Sequence, residues 1–174
     1  MRTISPVELI RLAPWGEIPN SALPVVFYRA GLAPDLRSPS ACQALFHRNG
    51  WRNSWLNGIY DYWHFHVTGH EVLGCVAGSA EIGLGGEAGV ALDFRAGDVL
   101  VLPAGTGHRR LSEPSESFAV VGAYPPGQSG EIVRPGDMAI QEAGRAIAKL
   151  TLPEADPVSC PEGPLLAAWA IRAG

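Results

Sequence analysis

Four of the chain's five histidines fall in two short stretches whose spacing suits a shared metal ion. The first runs from Gly58 to Gly78 and holds His64, His66, His70 and Glu71; the second runs from Gly97 to His108 through Pro103-Ala-Gly105-Thr-Gly107. His64 and His66 are two apart, so on a strand over Gly58 to His66 their side chains share one face. With Thr68-Gly69 as a hairpin turn, His66 opposes Glu71, which brings the carboxylate to that face. The same register sends His70 to the opposite face with Val67, as a surface or interface residue.

His108 follows a glycine-rich turn and begins the next short strand, and its inward placement does not follow from local pattern. If it faces inward, the set is three neutral imidazoles and one carboxylate. Such a nitrogen and oxygen donor set suits one divalent transition metal, Fe, Mn, Ni, Cu or Zn, rather than Ca or Mg. Burying two imidazoles and a carboxylate on one face is costly without a partner, and a cation is the simplest one.

The elements that must position these residues are short. From Trp51 onward, β-type runs at Gly58 to His66, Glu71 to Ala77, Ala80 to Leu84, Val90 to Phe94, Val99 to Leu102, His108 to Leu111 and Phe118 to Tyr124 alternate with turns at Thr68-Gly69, Gly85-Gly86, Ala96-Gly97 and Glu113-Pro114. That pattern predicts an all-β fold, an antiparallel barrel or sandwich, because long crossovers for a parallel sheet are missing. Before it lies a proline-punctuated arm with one strand, Pro24-Val-Val-Phe-Tyr28, then a helix opened by Ser38-Pro39 and closed by Gly50, with Cys42, Leu45 and Phe46 as its apolar stripe. His47 falls off that stripe and is read as solvated. After the barrel, Asp137 is expected to cap a helix with Ile140, Ala143, Ile147 and Leu150 on one face. The tail Gly163 to Trp169 should dock on the barrel or on a partner subunit.

The domain reading is a single domain over 1–174: arm and short helix in 1–50, barrel core in 51–125, C-terminal helix and docking tail in 126–174. The chain is 174 residues long, 47% hydrophobic and 17% charged, with net charge -4. That balance carries no electrostatic footprint for nucleic acid. The longest apolar run, Leu165 to Ile171, is too short for a membrane span, and the N-terminus lacks a secretory pattern, so the expectation is a cytoplasmic protein. Cys42, Cys75 and Cys160 form no CxxC pair and are read as small buried hydrophobes.

The two histidine stretches resemble the paired cupin motifs, G(x)5HxH(x)3-4E(x)6G and G(x)5PxG(x)2H(x)3N. Gly58, His64, His66, Glu71 and Gly78 meet the first, and Gly97, Pro103, Gly105 and His108 the second, with Ser112 in place of the final asparagine. The resemblance implies a cupin-type barrel, or jelly roll, and a metal held by His64, His66, Glu71 and His108. The whole chain is also similar to the single-domain YjlB-like cupins through Gly16-Glu-Ile-Pro-Asn20, His70 to Gly74, Ala123 to Gln128, Leu152 to Val158 and Gly163 to Trp169. Cupins include dioxygenases, decarboxylases, isomerases and binders without activity, so the fold supplies only an analogy for chemistry.

Within that frame, Tyr60 and Tyr62 share the parity of the histidines and are expected to wall the pocket, while Arg110 shares the parity of His108. Arg110 could hold an anion and Tyr62 could act as acid, base or hydrogen-bond donor, which makes them the catalytic candidates. Trp63 and Phe65, of opposite parity, are expected to meet the arm or a second subunit. The leading expectation is a small-molecule metalloenzyme, with dioxygenase-type chemistry first, acting as a homodimer; the alternative is a non-catalytic metal- or metabolite-binding protein.

Overall fold

Val25–Tyr28 and Val99–Leu102 are apolar at every position, and a strand reads that way when both of its faces are covered. In the computed structural model, which describes residues 7–159 and 162–171, this holds for the main sheet. Its antiparallel order is β1-β2-β7-β4-β9-β3, from β1 (Val7–Ile10), β2 (Val25–Tyr28), β3 (Arg52–Asn57), β4 (Glu71–Ala77), β7 (Val99–Leu102) and β9 (Ala119–Tyr124). A second antiparallel sheet, β6-β5-β8, is made of β5 (Ser79–Leu84), β6 (Val90–Arg95) and β8 (His108–Arg110). The two face each other as a jelly-roll sandwich, and strand alternation divides the side chains between two cores.

Val25, Phe27, Leu73, Cys75, Leu100, Leu102 and Val120 of the first sheet meet Ala80, Ile82, Leu84 and Phe94 of the second in the inner core. The alternate residues Val26, Tyr28, Val72, Val76, Val99, Val101, Val121 and Ala123 form an outer core under two helices. One is α1 (Pro39–Arg48), opened by Ser38, whose hydroxyl accepts from the Ala41 N–H, and by Pro39. It buries Cys42, Leu45 and Phe46. Gly74 is what lets it lie so close: a Cβ there would stand 2.9 Å from Cys42 Sγ and from the Phe46 ring. The other is α3 (Pro164–Ala168), which buries Leu165 and is followed by Trp169, whose indole N–H donates to the Pro24 carbonyl. The tail therefore docks on its own sheet.

The arm contributes a strand that the sequence pattern misses. β1 pairs with β2 at the sheet edge, and its weak alternation reflects half-exposure, with Leu9 48% exposed. Helix α2 (Ile140–Ala148) packs Ala143 and Ile147 on Phe65, Val67 and Val133. Asp137 does not cap it, since that carboxylate accepts from the Arg134 N–H in the preceding turn. Among the described residues no helix is long and apolar enough to cross a membrane.

Cys42 and Cys75 are buried free thiols, and Cys160 lies outside the described residues. Burial pushes both thiols up to about 12. Since the thiolate is the reactive form, neither peptide should be alkylated by iodoacetamide at pH 8 in the folded protein, while both label readily in denaturant. Peptide mapping by mass spectrometry checks this; fast labelling of Cys42 under native conditions would contradict the packing described.

Candidate metal centre

The segment that carries the first two histidines is not a strand of either sheet. After β3 the chain leaves the main sheet at Gly58 and runs beside β8, where His64 and His108 exchange both backbone hydrogen bonds at 3.2 and 2.9 Å. Four residues earlier, Tyr60 takes the Arg110 N–H, the bond that Tyr62 would receive in an unbroken ladder. Two extra residues therefore bulge from this segment. Phe65 pairs on its other side with Val133, and His66 accepts from the Gly105 N–H.

Thr68-Gly69 likewise makes no hairpin. Thr68 bonds to Ser129, and β4, beginning at Glu71, pairs with β7 and β9. His66 and Glu71 meet all the same, because β4 alternation turns Glu71 inward with Leu73 and Cys75. Glu71 Oε1 lies 3.3 Å from His66 Nε2 and 3.5 Å from His108 Nε2. His64, His66 and His108 place one ring nitrogen each within 4.8 Å of one another, and all are buried.

The other ring nitrogen of each histidine settles its tautomer. His64 Nδ1 lies 2.9 Å from the Tyr62 carbonyl, His66 Nδ1 2.9 Å from the Glu131 carbonyl, and His108 Nδ1 2.9 Å from the Thr106 carbonyl. A carbonyl only accepts, so each Nδ1 carries the hydrogen and each neutral Nε2 presents a lone pair. Three lone pairs thus converge on one buried spot, with the Glu71 carboxylate beside those of His66 and His108, and such a set calls for positive charge. Backbone clamping of Nδ1 is also the outer-shell arrangement that fixes a ligand histidine. Three imidazole nitrogens fit a divalent transition ion in chemistry.

Protons compete with a cation for these same lone pairs. Burial tends to raise the Glu71 pKa, but with protons on Nε2 the charge on His66 and hydrogen bonds from His108 and His66 outweigh it and hold the carboxyl below its usual range. Burial, then the neighbouring His108, lowers His64 to about 3, keeping it neutral. His66 moves up despite its burial, through the charge and hydrogen bond of Glu71.

Above the centre lies a cavity of about 250 Å³. Trp55, Ile59, Leu73 and Tyr124 line it, with Leu56, Tyr60 and Ile132 at its exposed mouth. Tyr124 is the residue that sequence reasoning missed, although its parity with Val120 on the same strand was a usable signal. Its hydroxyl accepts from the Trp55 indole N–H at 2.7 Å. Burial and then the Glu71 charge push its pKa up, so it stays a protonated donor. Two glycines make the room: a Cβ at Gly122 would collide with the Trp55 indole, and one at Gly130 with the Tyr124 hydroxyl.

Other expected residues sit elsewhere. Tyr60 does line the cavity, but Tyr62 is stacked outside it at 5.0 Å, with the Arg134 guanidinium 4.1 Å over its far ring. The two-residue bulge broke the parity that placed both in one wall. Arg110 is absent from the wall too, and its guanidinium donates to the Ser112 carbonyl at 2.6 Å. Ser112 itself receives the Glu81 N–H, a strand-ending contact. Trp63 bonds to Glu87, and Phe65 packs on α2 rather than on the arm.

His70 is a correction of a different kind. It is buried, not at the surface, although it does point away from the three histidines: its Nδ1 accepts from the Ala104 N–H and its ring stands 5.2 Å from that of Trp169. Its Nε2 has no hydrogen-bond partner.

No family model matches the chain. It is 37% identical over 155 residues to the uncharacterized protein YjlB of Bacillus subtilis strain 168, covering 88% of this chain and 91% of that protein. Among solved structures it is similar to an acireductone dioxygenase from Bacillus anthracis with a cadmium ion in its active centre, at 14% identity and TM-score 0.44, over 63% of this chain and 82% of the other. An oxalate decarboxylase variant from Bacillus subtilis gives 20% identity and TM-score 0.40, over 67% of this chain and 29% of that one.

Proposed function

The chain belongs to the cupin superfamily, in the group that includes YjlB, and we propose that it is a small-molecule metalloenzyme with dioxygenase-type chemistry the leading subclass. The observation that carries this reading is the convergence of three backbone-clamped imidazole lone pairs and one carboxylate at the floor of an open cavity. His64, His66, Glu71 and His108 would hold one divalent transition metal, Fe, Mn, Ni, Cu or Zn. Such an ion supplies a Lewis acid and, when redox-active, a route for electrons to or from a bound ligand.

The protein's own residues supply the rest. Tyr124, fixed by Trp55 and protonated beside Glu71, offers a hydrogen bond to a ligand oxygen at the cavity floor. In this reading it takes the acid or donor role that sequence parity assigned to Tyr62. Leu73, Ile59 and Trp55 keep water from the inner wall.

The test is aerobic turnover of a panel of small oxygen-chelating compounds by untagged protein reconstituted with Fe(II) or Mn(II). His66→Ala should abolish turnover together with metal. Tyr124→Phe should keep its metal and lose roughly a hundredfold or more in kcat, the usual worth of a positioned acid or base. Turnover that survives in His66→Ala would sink this mechanism; stoichiometric metal with no turnover of any compound would favour the non-catalytic binder.

A further inference from the structure

The wall of the cavity holds no lysine or arginine among the described residues; Arg110 is engaged by the Ser112 carbonyl and Arg134 by the outer ring of Tyr62. Its acidic group is Glu71, at the floor beside His66 and His108. Resting on the metal reading above, the charge balance at the floor follows. Three neutral imidazoles and one carboxylate around a divalent ion leave a single net positive charge. One anionic group on a ligand cancels it; a second would meet no cation in the wall, whose polar side chains Asn57, Tyr60 and Tyr124 carry no positive charge, at the cost of desolvating an unpaired charge.

The shape of the lining adds the other half. Beyond the floor the walls are Trp55, Ile59 and Leu73, and the mouth is rimmed by Leu56, Tyr60 and Ile132, which are 50%, 48% and 40% exposed. Large apolar side chains left facing solvent around a cavity gain most from an apolar ligand surface laid against them. The volume of about 250 Å³ is that of roughly eight waters at about 30 Å³ each, which suits a molecule on the order of ten non-hydrogen atoms.

We infer that the ligand is a small monoanionic or neutral chelator, with oxygen donors for the metal and an apolar body lying against Trp55, Leu56, Ile59 and Ile132, and that dianions are discriminated against.

The experiment uses the full chain loaded with Co(II), whose visible absorption reports its coordination. Two probes share one chelating head and are of similar size: 4-methyl-2-oxopentanoate, with an apolar tail, and 2-oxoglutarate, with a second carboxylate. The first should shift the Co(II) bands with an apparent Kd at least about tenfold lower than the second. Ile132→Arg, at an exposed position on the rim, should reverse the order by giving the second carboxylate a partner. Equal or inverted affinities in the wild type overturn the inference and leave the metal reading standing, as does a failure of both probes to shift the bands. Failure of the protein to take up Co(II) at the three histidines overturns the metal reading itself, and this inference with it.

Discussion

Replacing His108 with alanine is expected to leave the purified protein without stoichiometric divalent metal and to lower its melting temperature by roughly 6–16 °C. The substitution removes one of the three lone pairs that converge with Glu71, and it leaves the backbone bridge to His64 intact. An ion present at a hundred to a thousand times its Kd stabilises the folded state by about 3–4 kcal/mol, all of which is lost with the site. At this chain length each kcal/mol corresponds to about 2–4 °C. Chelation of the wild type should bring it down to the variant's melting temperature, and chelator should then leave the variant unchanged. His70→Ala makes a strong control, because that histidine is as buried and sits next to Glu71, yet faces Trp169. It should destabilise the protein and, by freeing the Ala104 N–H, weaken metal affinity about tenfold while the metal stays stoichiometric. Elemental analysis of untagged protein and calorimetry decide the matter; full metal occupancy in His108→Ala would refute the ligand assignment.

How much of this was legible before the structure depends on which physical signal each residue carries. The histidine and glutamate spacing is legible in sequence because residues two apart on an extended segment share a face, as His64 and His66 do. The inference that joined His66 to Glu71 reached the right pairing through a hairpin that does not exist. Strand alternation of β4 alone turns Glu71 inward, and the chain from Thr68 to His70 is held by Ser129, Gln128 and Ala104 instead. The errors all have one source, which is long-range contact. The two-residue bulge between Tyr60 and His64 is paid for by bonds to β8 and by the stack of Tyr60, Tyr62 and Arg134, and a local periodicity rule has no access to these. Tyr124 had the correct parity but belongs to the site through Trp55, which is 69 residues away along the chain. His70 was assigned to the surface because alternation gives a face but says nothing of what covers it. The cover is Trp169, brought there by α3 from the far end of the chain.

That same tail carries the second large effect: Asp156→Ala should cost about 3–5 kcal/mol of stability and release the C-terminal segment. Asp156 is fully buried, and among the described residues no cation pairs with it. Four donors do so instead. One carboxylate oxygen accepts from the Tyr28 hydroxyl at 2.5 Å and the Leu165 N–H at 3.0 Å, the other from the Val158 and Ser159 N–H groups at 2.8 Å each. Gly163 passes so close that any side chain there would strike the carboxylate. Truncation to alanine strands all four donors in a buried place, each at about 1–3 kcal/mol less whatever water recovers. Tyr28→Phe removes one donor and should cost only about 1–2 kcal/mol, and the double variant should fall short of the sum because the two share one hydrogen bond. Chemical denaturation gives the energies, and limited proteolysis reads the freed tail; a loss below about 1 kcal/mol for Asp156→Ala would show that the carboxylate is not the anchor. The consequence reaches the metal. With α3 released, Trp169 leaves the ring of His70, whose Nδ1 holds the Ala104 N–H in the loop that leads to His108. A ligand whose support loosens in this way typically loses about tenfold or more in metal affinity. Asp156→Ala should therefore weaken Co(II) binding as well, although no atom of Asp156 takes part in the centre.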